Sequence, residues 1–268
     1  MNKKYLIIVE GEVDEVVIFE KIFLSLGFKV SRDKTLNFKN INLDLASKIF
    51  SNLDKDIYIV HSIQNKIHDI VIKFDKQTED IEKFFGLSST FFQGIFLIFD
   101  IDHNDKEDVD LMFNKFQDEY TGLLLVSSPS VEVLADINNG ILGKNKFNSL
   151  TKEYKGKLNS YFDTNHHCNV WEYITDNFFN LLIKALEKNY NDFKENNIME
   201  HPKLVIEKIN KINIRNNYQR NGITITECEY YYFTTVIYVF IAFIFGLTSE
   251  IDNYSKVKDF FESKIELK

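Results

Sequence analysis

The sequence predicts an α/β fold, a mostly parallel sheet flanked by helices, followed by an all-helical C-terminal region. Three observations predict it. Tyr5–Val9 and Ile95–Phe99 are short, unbroken apolar runs, the pattern of strands buried on both faces. Each is followed by apolar residues at helical spacing, and strands alternating with helices indicate parallel pairing. From Lys144 onward the strand pattern disappears and helical periodicity alone is left.

The first strand runs into Glu10 and Gly11, and Val13, Val16, Val17, Ile22 and Phe23 then mark a helix that stops at Leu26-Gly27. Residues 31–94 leave two readings open, part of the sheet or an insertion. Within them Ile57–His61 and Ile67–Phe74 read as strands and Thr78–Phe85 as a short helix. Ile95–Phe99 ends in Asp100-Ile101-Asp102, and Val109, Met112, Phe113 and Phe116 place a helix over Glu107–Glu119. Leu123–Val126 is a third buried strand, ending at Ser127-Ser128-Pro129. The serine and proline are suited to start a helix through Glu132 to Ile137. Gly140 and Gly143 interrupt the pattern and set a domain boundary at 142/143. Beyond it, Trp171–Leu186, Leu204–Ile212 and Tyr254–Phe261 read as helices. Tyr230–Ser249 carries no charge over twenty residues, long enough for a membrane span. Its three consecutive tyrosines, its threonines and the flanking Glu229 and Glu250 favour instead a buried helix or a homodimer seam.

Composition narrows the function classes. With 44% hydrophobic residues, 25 Phe and 13 Tyr, the chain has ample material for a core, which excludes wholesale disorder. Two cysteines, Cys168 and Cys228, cannot build a disulfide framework or a thiolate zinc cage, and the N-terminal apolar run is too short for a signal peptide. A cytoplasmic location is the expectation. Residues 1–140 hold 15 Lys/Arg against 24 Asp/Glu, so a simple basic clamp on nucleic acid is excluded there. An enzyme that neutralises an acidic site with a divalent metal is not.

In open α/β sheets, ligands bind beyond the carboxyl ends of the strands. Those ends carry Glu10, then Asp100 and Asp102, then Ser127, Ser128 and Glu132, with Asp14 one helical turn beyond Glu10. In extended geometry Asp100 and Asp102 leave the same side, roughly 6–7 Å apart at Cα. Two carboxylates ~5 Å apart repel by about 3 kcal/mol at an effective dielectric near 20, so one is protonated or a cation lies between them. Oxygen ligands alone point to Mg²⁺ or Mn²⁺.

IIVEGEVDEVVIFEKIF resembles the first motif of the Toprim domain, shared by topoisomerases, bacterial primases, OLD nucleases and ribosomal-RNA maturases. Glu10, Gly11 and Asp14 match it. IFLIFDIDHND resembles the second motif through Asp100 and Asp102, with His103, Asn104 and Asp105 where the family often has a glycine. VSSPSVEVLAD resembles a segment of small defence-associated Toprim proteins, RloB-like and AriB-like, and aligns Glu132 with its acidic residue. The resemblance covers residues 3–137 and implies a Toprim-like catalytic domain over 1–142; the helical domain over 143–268, for dimerisation or nucleic-acid contact, is read from periodicity. It implies a metal-dependent nuclease acting on DNA or RNA, transfer RNA included. Glu10 would be general acid/base or metal ligand, Asp100 and Asp102 the Mg²⁺ ligands, and Asp14 and Glu132 their support. It further implies a setting in bacterial anti-phage defence beside a partner ATPase, since the chain has no phosphate-binding loop of its own.

Ser127, Ser128, Lys144 and Lys146 are the candidate substrate contacts. Lys152, Lys155 and Lys157, with Phe147, Tyr154 and Tyr161 interleaved, either extend that surface or form an exposed linker. Two other readings stay open. One is a catalytically inactive Toprim-like interaction or regulatory module. The other is a haloacid-dehalogenase-type phosphatase with Asp100 as nucleophile, although that family usually begins with the Asp-x-Asp strand. His166-His167-Cys168 reads as a solvated loop in preference to a metal site.

Overall fold

The computed structural model of the chain describes residues 4–11, 14–25, 28–37, 48–51, 54–62, 81–85, 87, 91–100, 106–127, 135, 146–147, 151–174, 176–177, 181 and 228–229. The chain divides into two compact units, Met1–Leu125 and Val126–Lys268, a division that falls before the 142/143 boundary read from the glycines.

The first unit is built on a six-stranded sheet. Its elements are β1 (Tyr5–Val9), α1 (Asp14–Ser25), β2 (Val30–Asn37), β3 (Ile57–His61), α2 (Ile81–Phe84), β4 (Gly94–Asp100), α3 (Lys106–Lys115) and β5 (Gln117–Asp118), with β6 (Gly122–Ser127) closing the series. The strand order is β2-β3-β1-β4-β6-β5. Strand β1 pairs in parallel with β3 on one side and β4 on the other, and β2 pairs in parallel with β3. Within this sheet, β5 is antiparallel to β6. Strands β2 and β3, both within the 31–94 segment, therefore belong to the sheet.

The centre of the sheet explains its own sequence. All five residues of β1 are fully buried, and Ile95–Phe99 of β4 nearly so, which is why these strands read as unbroken apolar runs. Helix α1 buries Glu15, Val16, Ile18, Phe19, Ile22 and Phe23 while Lys21 and Leu24 face solvent, a stripe at helical period. Phe23 lies edge-on to Phe28, and the Phe28 amide donates to the Phe23 carbonyl at 3.0 Å, tying the end of the helix to the approach to β2. At the amino ends of β1, β3 and β4, Phe50 packs edge-on against Tyr58, Phe85, Phe91 and Phe92 with ring centroids 5.2–6.2 Å apart. Lys4 reaches over this cluster, its ammonium 5.5 Å from the Tyr58 ring and 5.9 Å from the Phe91 ring. It donates to the Lys55 carbonyl at 3.0 Å. Burial lowers the Lys4 pKa, with Asp56 and Asp54 opposing the shift. Burial likewise pushes the Tyr58 phenol up to about 12.

Two expectations are corrected. The helix over Glu107–Glu119 ends at Lys115, because Asp118 turns the chain: its carboxylate accepts from the Tyr120 and Thr121 amides, both at 2.9 Å, and starts the β5–β6 hairpin. The second unit is not helical throughout. It contains α4 (Thr151–His166) and a two-residue antiparallel pair, β7 (Lys146–Phe147) with β8 (Cys228–Glu229), too short to leave a periodic trace. Helix α4 ends at His167, whose φ of 53° is left-handed. Asn169 and Glu172 then form a reciprocal cap, the Glu172 amide donating to Asn169 Oδ1 at 2.8 Å and the Asn169 amide to Glu172 Oε2 at 3.1 Å. It opens the helical turn at 170–174. The predicted strand Ile67–Phe74, the helices Leu204–Ile212 and Tyr254–Phe261 and the uncharged segment 230–249 lie outside the described residues. Among the described residues no helix is long and apolar enough to cross a membrane.

Gly122 is held by the packing beneath it. Its φ is +130°, and a Cβ there would lie 2.8 Å from Phe116 Cδ1 and 2.9 Å from Leu97 Cδ1. Gly122→Ala is expected to lower stability by about 3 kcal/mol, strain and overpacking combined, seen as an earlier urea midpoint at unchanged slope.

Candidate active site

The topology of the described strands sets a switch point. From β1 the chain leaves through α1 towards β2 at one edge, and from β4 it leaves through α3 towards β5 and β6 at the other. Connections diverge from the adjacent strands β1 and β4, so their carboxyl ends flank the switch point of the sheet, where such folds bind ligands. Glu10 follows β1 directly and Asp100 is the last residue of β4.

Their spacing follows from register. Val9 is opposite Ile98, and the Glu10 amide donates to the Ile98 carbonyl at 3.2 Å, so the ladder continues one residue past β1. Asp100 therefore stands one residue further along than Glu10 on the neighbouring strand. With strands ~4.8 Å apart and a rise of ~3.3 Å, the two Cα atoms are about 6 Å apart.

On the other flank of β1, His61 ends β3 in register with Val9 and is fully buried. The next residue, Ser62, is buried too. Its amide donates to the Val9 carbonyl at 2.8 Å and its hydroxyl to the Glu10 carbonyl at 3.3 Å. At the start of α1, Glu15 folds back so that its Oε2 accepts from the Gly11 amide at 2.8 Å. A Cβ on Gly11 would lie 3.2 Å from the Glu15 carboxyl carbon, so the turn fits glycine closely. The acid that grips this turn is thus Glu15, while Asp14 is the first residue of the helix.

The predicted site residues fall as follows. Glu10 and Asp100 are at the ends of adjacent strands. Ser127 ends β6, the strand beside β4 in the sheet order, and Lys146 starts β7. For Asp14, Asp100, Ser127 and Lys146 the side chains lie outside the described residues, as do Asp102, Ser128, Glu132 and Lys144 altogether. Among the described residues no group of three or more His, Cys, Asp or Glu gathers to hold a metal.

Glu10 and Asp100, at the ends of adjacent strands, are carboxylate residues, the donor type that a hard divalent ion takes. The residues that end β1, β3 and β4, namely Glu10, Gly11, His61, Ser62 and Asp100, include no lysine or arginine.

Sequence reasoning missed Ser62 and Glu15. Ser62 follows the apolar run IYIVH as Glu10 follows YLIIV, and that parallel was the available signal. The His166-His167-Cys168 string is accounted for by packing. The His166 ring stacks on Phe162 at 5.0 Å and lies 4.9 Å from Tyr173. Burial raises the Cys168 thiol pKa, with Glu172 and Asp176 adding to it.

No protein-family model, curated protein or solved structure matches this chain.

Proposed function

We propose that this chain is a metal-dependent nuclease with a Toprim-like catalytic domain, hydrolysing phosphodiester bonds of DNA or RNA. The observation that carries the proposal is that Glu10 and Asp100 stand at the carboxyl ends of the adjacent parallel strands β1 and β4, beside the switch point of the sheet. The motif resemblance supports it independently, since Glu10, Gly11, Asp14, Asp100 and Asp102 match in type and order. A helical second domain, read from periodicity, and a homodimer through its aromatic helical surface belong to the same proposal, and a partner ATPase and a role in anti-phage defence join it through that resemblance.

Asp100, Asp102 and Glu10 would hold Mg²⁺ or Mn²⁺, with Asp14 and Glu132 nearby. Such an ion supplies charge neutralisation at the scissile phosphate and lowers the pKa of water. Glu10 would exchange a proton with the attacking or leaving oxygen. Ser127, Ser128, Lys144 and Lys146 would bind the backbone phosphates. A chain serving only as an interaction module has no use for two acids beside one switch point.

The test is incubation with mixed RNA and DNA in Mg²⁺ or Mn²⁺, with and without a chelator, beside Glu10→Ala. Cleavage that stops on chelation and is lost in the variant is the expected result. Equal activity of the wild type and Glu10→Ala overturns the proposal.

A further inference from the structure

We propose that Ser62 and Glu15 are positioning residues for Glu10, fixing the backbone from which its carboxylate projects; this rests on the reading of Glu10 as a metal-site acid. The Glu10 Cα lies between two peptide groups. In the first, the Val9 carbonyl accepts from the Ser62 amide at 2.8 Å and the Glu10 amide donates to the Ile98 carbonyl at 3.2 Å. In the second, the Glu10 carbonyl accepts from the Ser62 hydroxyl at 3.3 Å and the Gly11 amide donates to Glu15 Oε2 at 2.8 Å. Every polar atom of both peptides is thereby held, by groups on three different elements.

Since each peptide is planar, fixing both planes sets φ and ψ of Glu10 and leaves only its side-chain torsions free. Glu10 lies just past the end of β1, where a strand without such ties would fray. The ties are partly sheltered: Ser62 is fully buried and Glu15 is 7% exposed, while Glu10 and Gly11 are half-buried, so water has limited access to either bond. Metal and catalytic groups must be held within ~0.5 Å of productive geometry, and supporting hydrogen bonds supply that constraint. Two of the four bonds depend on side chains, those of Ser62 and Glu15, and can be removed by substitution without touching the acid itself.

The experiment measures Mn²⁺ binding by electron paramagnetic resonance for the full chain and for Ser62→Ala, Glu15→Ala, Glu15→Gln and Glu10→Ala, with a thermal melt of each. Ser62→Ala and Glu15→Ala are expected to weaken Mn²⁺ binding by about ten-fold. Glu15→Gln, which keeps an oxygen acceptor for the Gly11 amide, is expected to bind within about three-fold of wild type, so that a loss in Glu15→Ala alone tracks the hydrogen bond and not the charge. Wild-type binding in Ser62→Ala and Glu15→Ala, alongside loss in Glu10→Ala, overturns this inference alone. A loss in Glu15→Gln equal to that in Glu15→Ala also overturns it, because the charge would then be what matters. Unchanged binding in Glu10→Ala overturns the functional reading and this inference together.

Discussion

Glu10→Ala is expected to reduce metal-dependent phosphodiester cleavage on the order of 100-fold or more, the usual worth of a positioned proton-transfer group. The fold should survive the change. The Glu10 side chain is outside the core, and the bonds that anchor this position use its backbone atoms, which alanine retains. Stability should even move the other way when metal is absent. Two carboxylates rooted about 6 Å apart repel by at most about 3 kcal/mol at an effective dielectric of 20, and the variant removes that repulsion. A thermal melt without metal should therefore show Glu10→Ala as stable as the wild type or more so. Added Mn²⁺ should raise the melting temperature of the wild type only, since a ligand stabilises only a protein that binds it. A variant that loses activity and stability together would point to a structural acid instead.

Phe50→Ala is expected to cost about 4 kcal/mol, the range for removing a fully buried aromatic side chain. Phe50 belongs to no strand of the sheet, yet its ring contacts Tyr58, Phe85, Phe91 and Phe92, side chains drawn from β3 and from the segments around α2 and before β4. Its removal leaves a cavity bordered by stiff rings, which cannot collapse to fill it. Urea denaturation followed by circular dichroism reads the loss directly. Leu24→Ala, at a helix position 52% exposed, is the control and should change stability by less than about 0.5 kcal/mol. Comparable effects at the two positions would mean that the aromatic cluster is not the anchor it is taken to be.

Much of the first unit was legible because its central strands are buried on both faces. YLIIV and IYIVH are observed as strands with the bounds read from the sequence, since burial on both sides demands an unbroken apolar run. Strand β2 was illegible for the opposite reason. VSRDKTLN lies at an edge, and Arg32 spends its charge on Glu20 of α1 at 2.9 Å, so no apolar pattern marks it. Helix α4 hid in the same way: TKEYKGKLNSYFDTNH buries Leu158 and Phe162, one turn apart, and little else of its described face. Of the site, Glu10 and Asp100 could be found because each ends a buried run. Ser62 also follows a buried run, but its bond to Glu10 joins positions 52 residues apart and goes to a backbone carbonyl, which no side-chain spacing encodes.

The two margins of the sheet carry a consequence for association between copies. One margin is β2, whose sequence brings Arg32, Asp33 and Lys34 in succession, and the other is β5, only two residues long. Neither offers a long, flat, apolar template on which a strand from another molecule can dock. Growth of the sheet into intermolecular ribbons is thus discouraged at both ends. Among the described strands, any association between copies is accordingly expected to use side-chain surfaces in preference to these hydrogen-bonding rims.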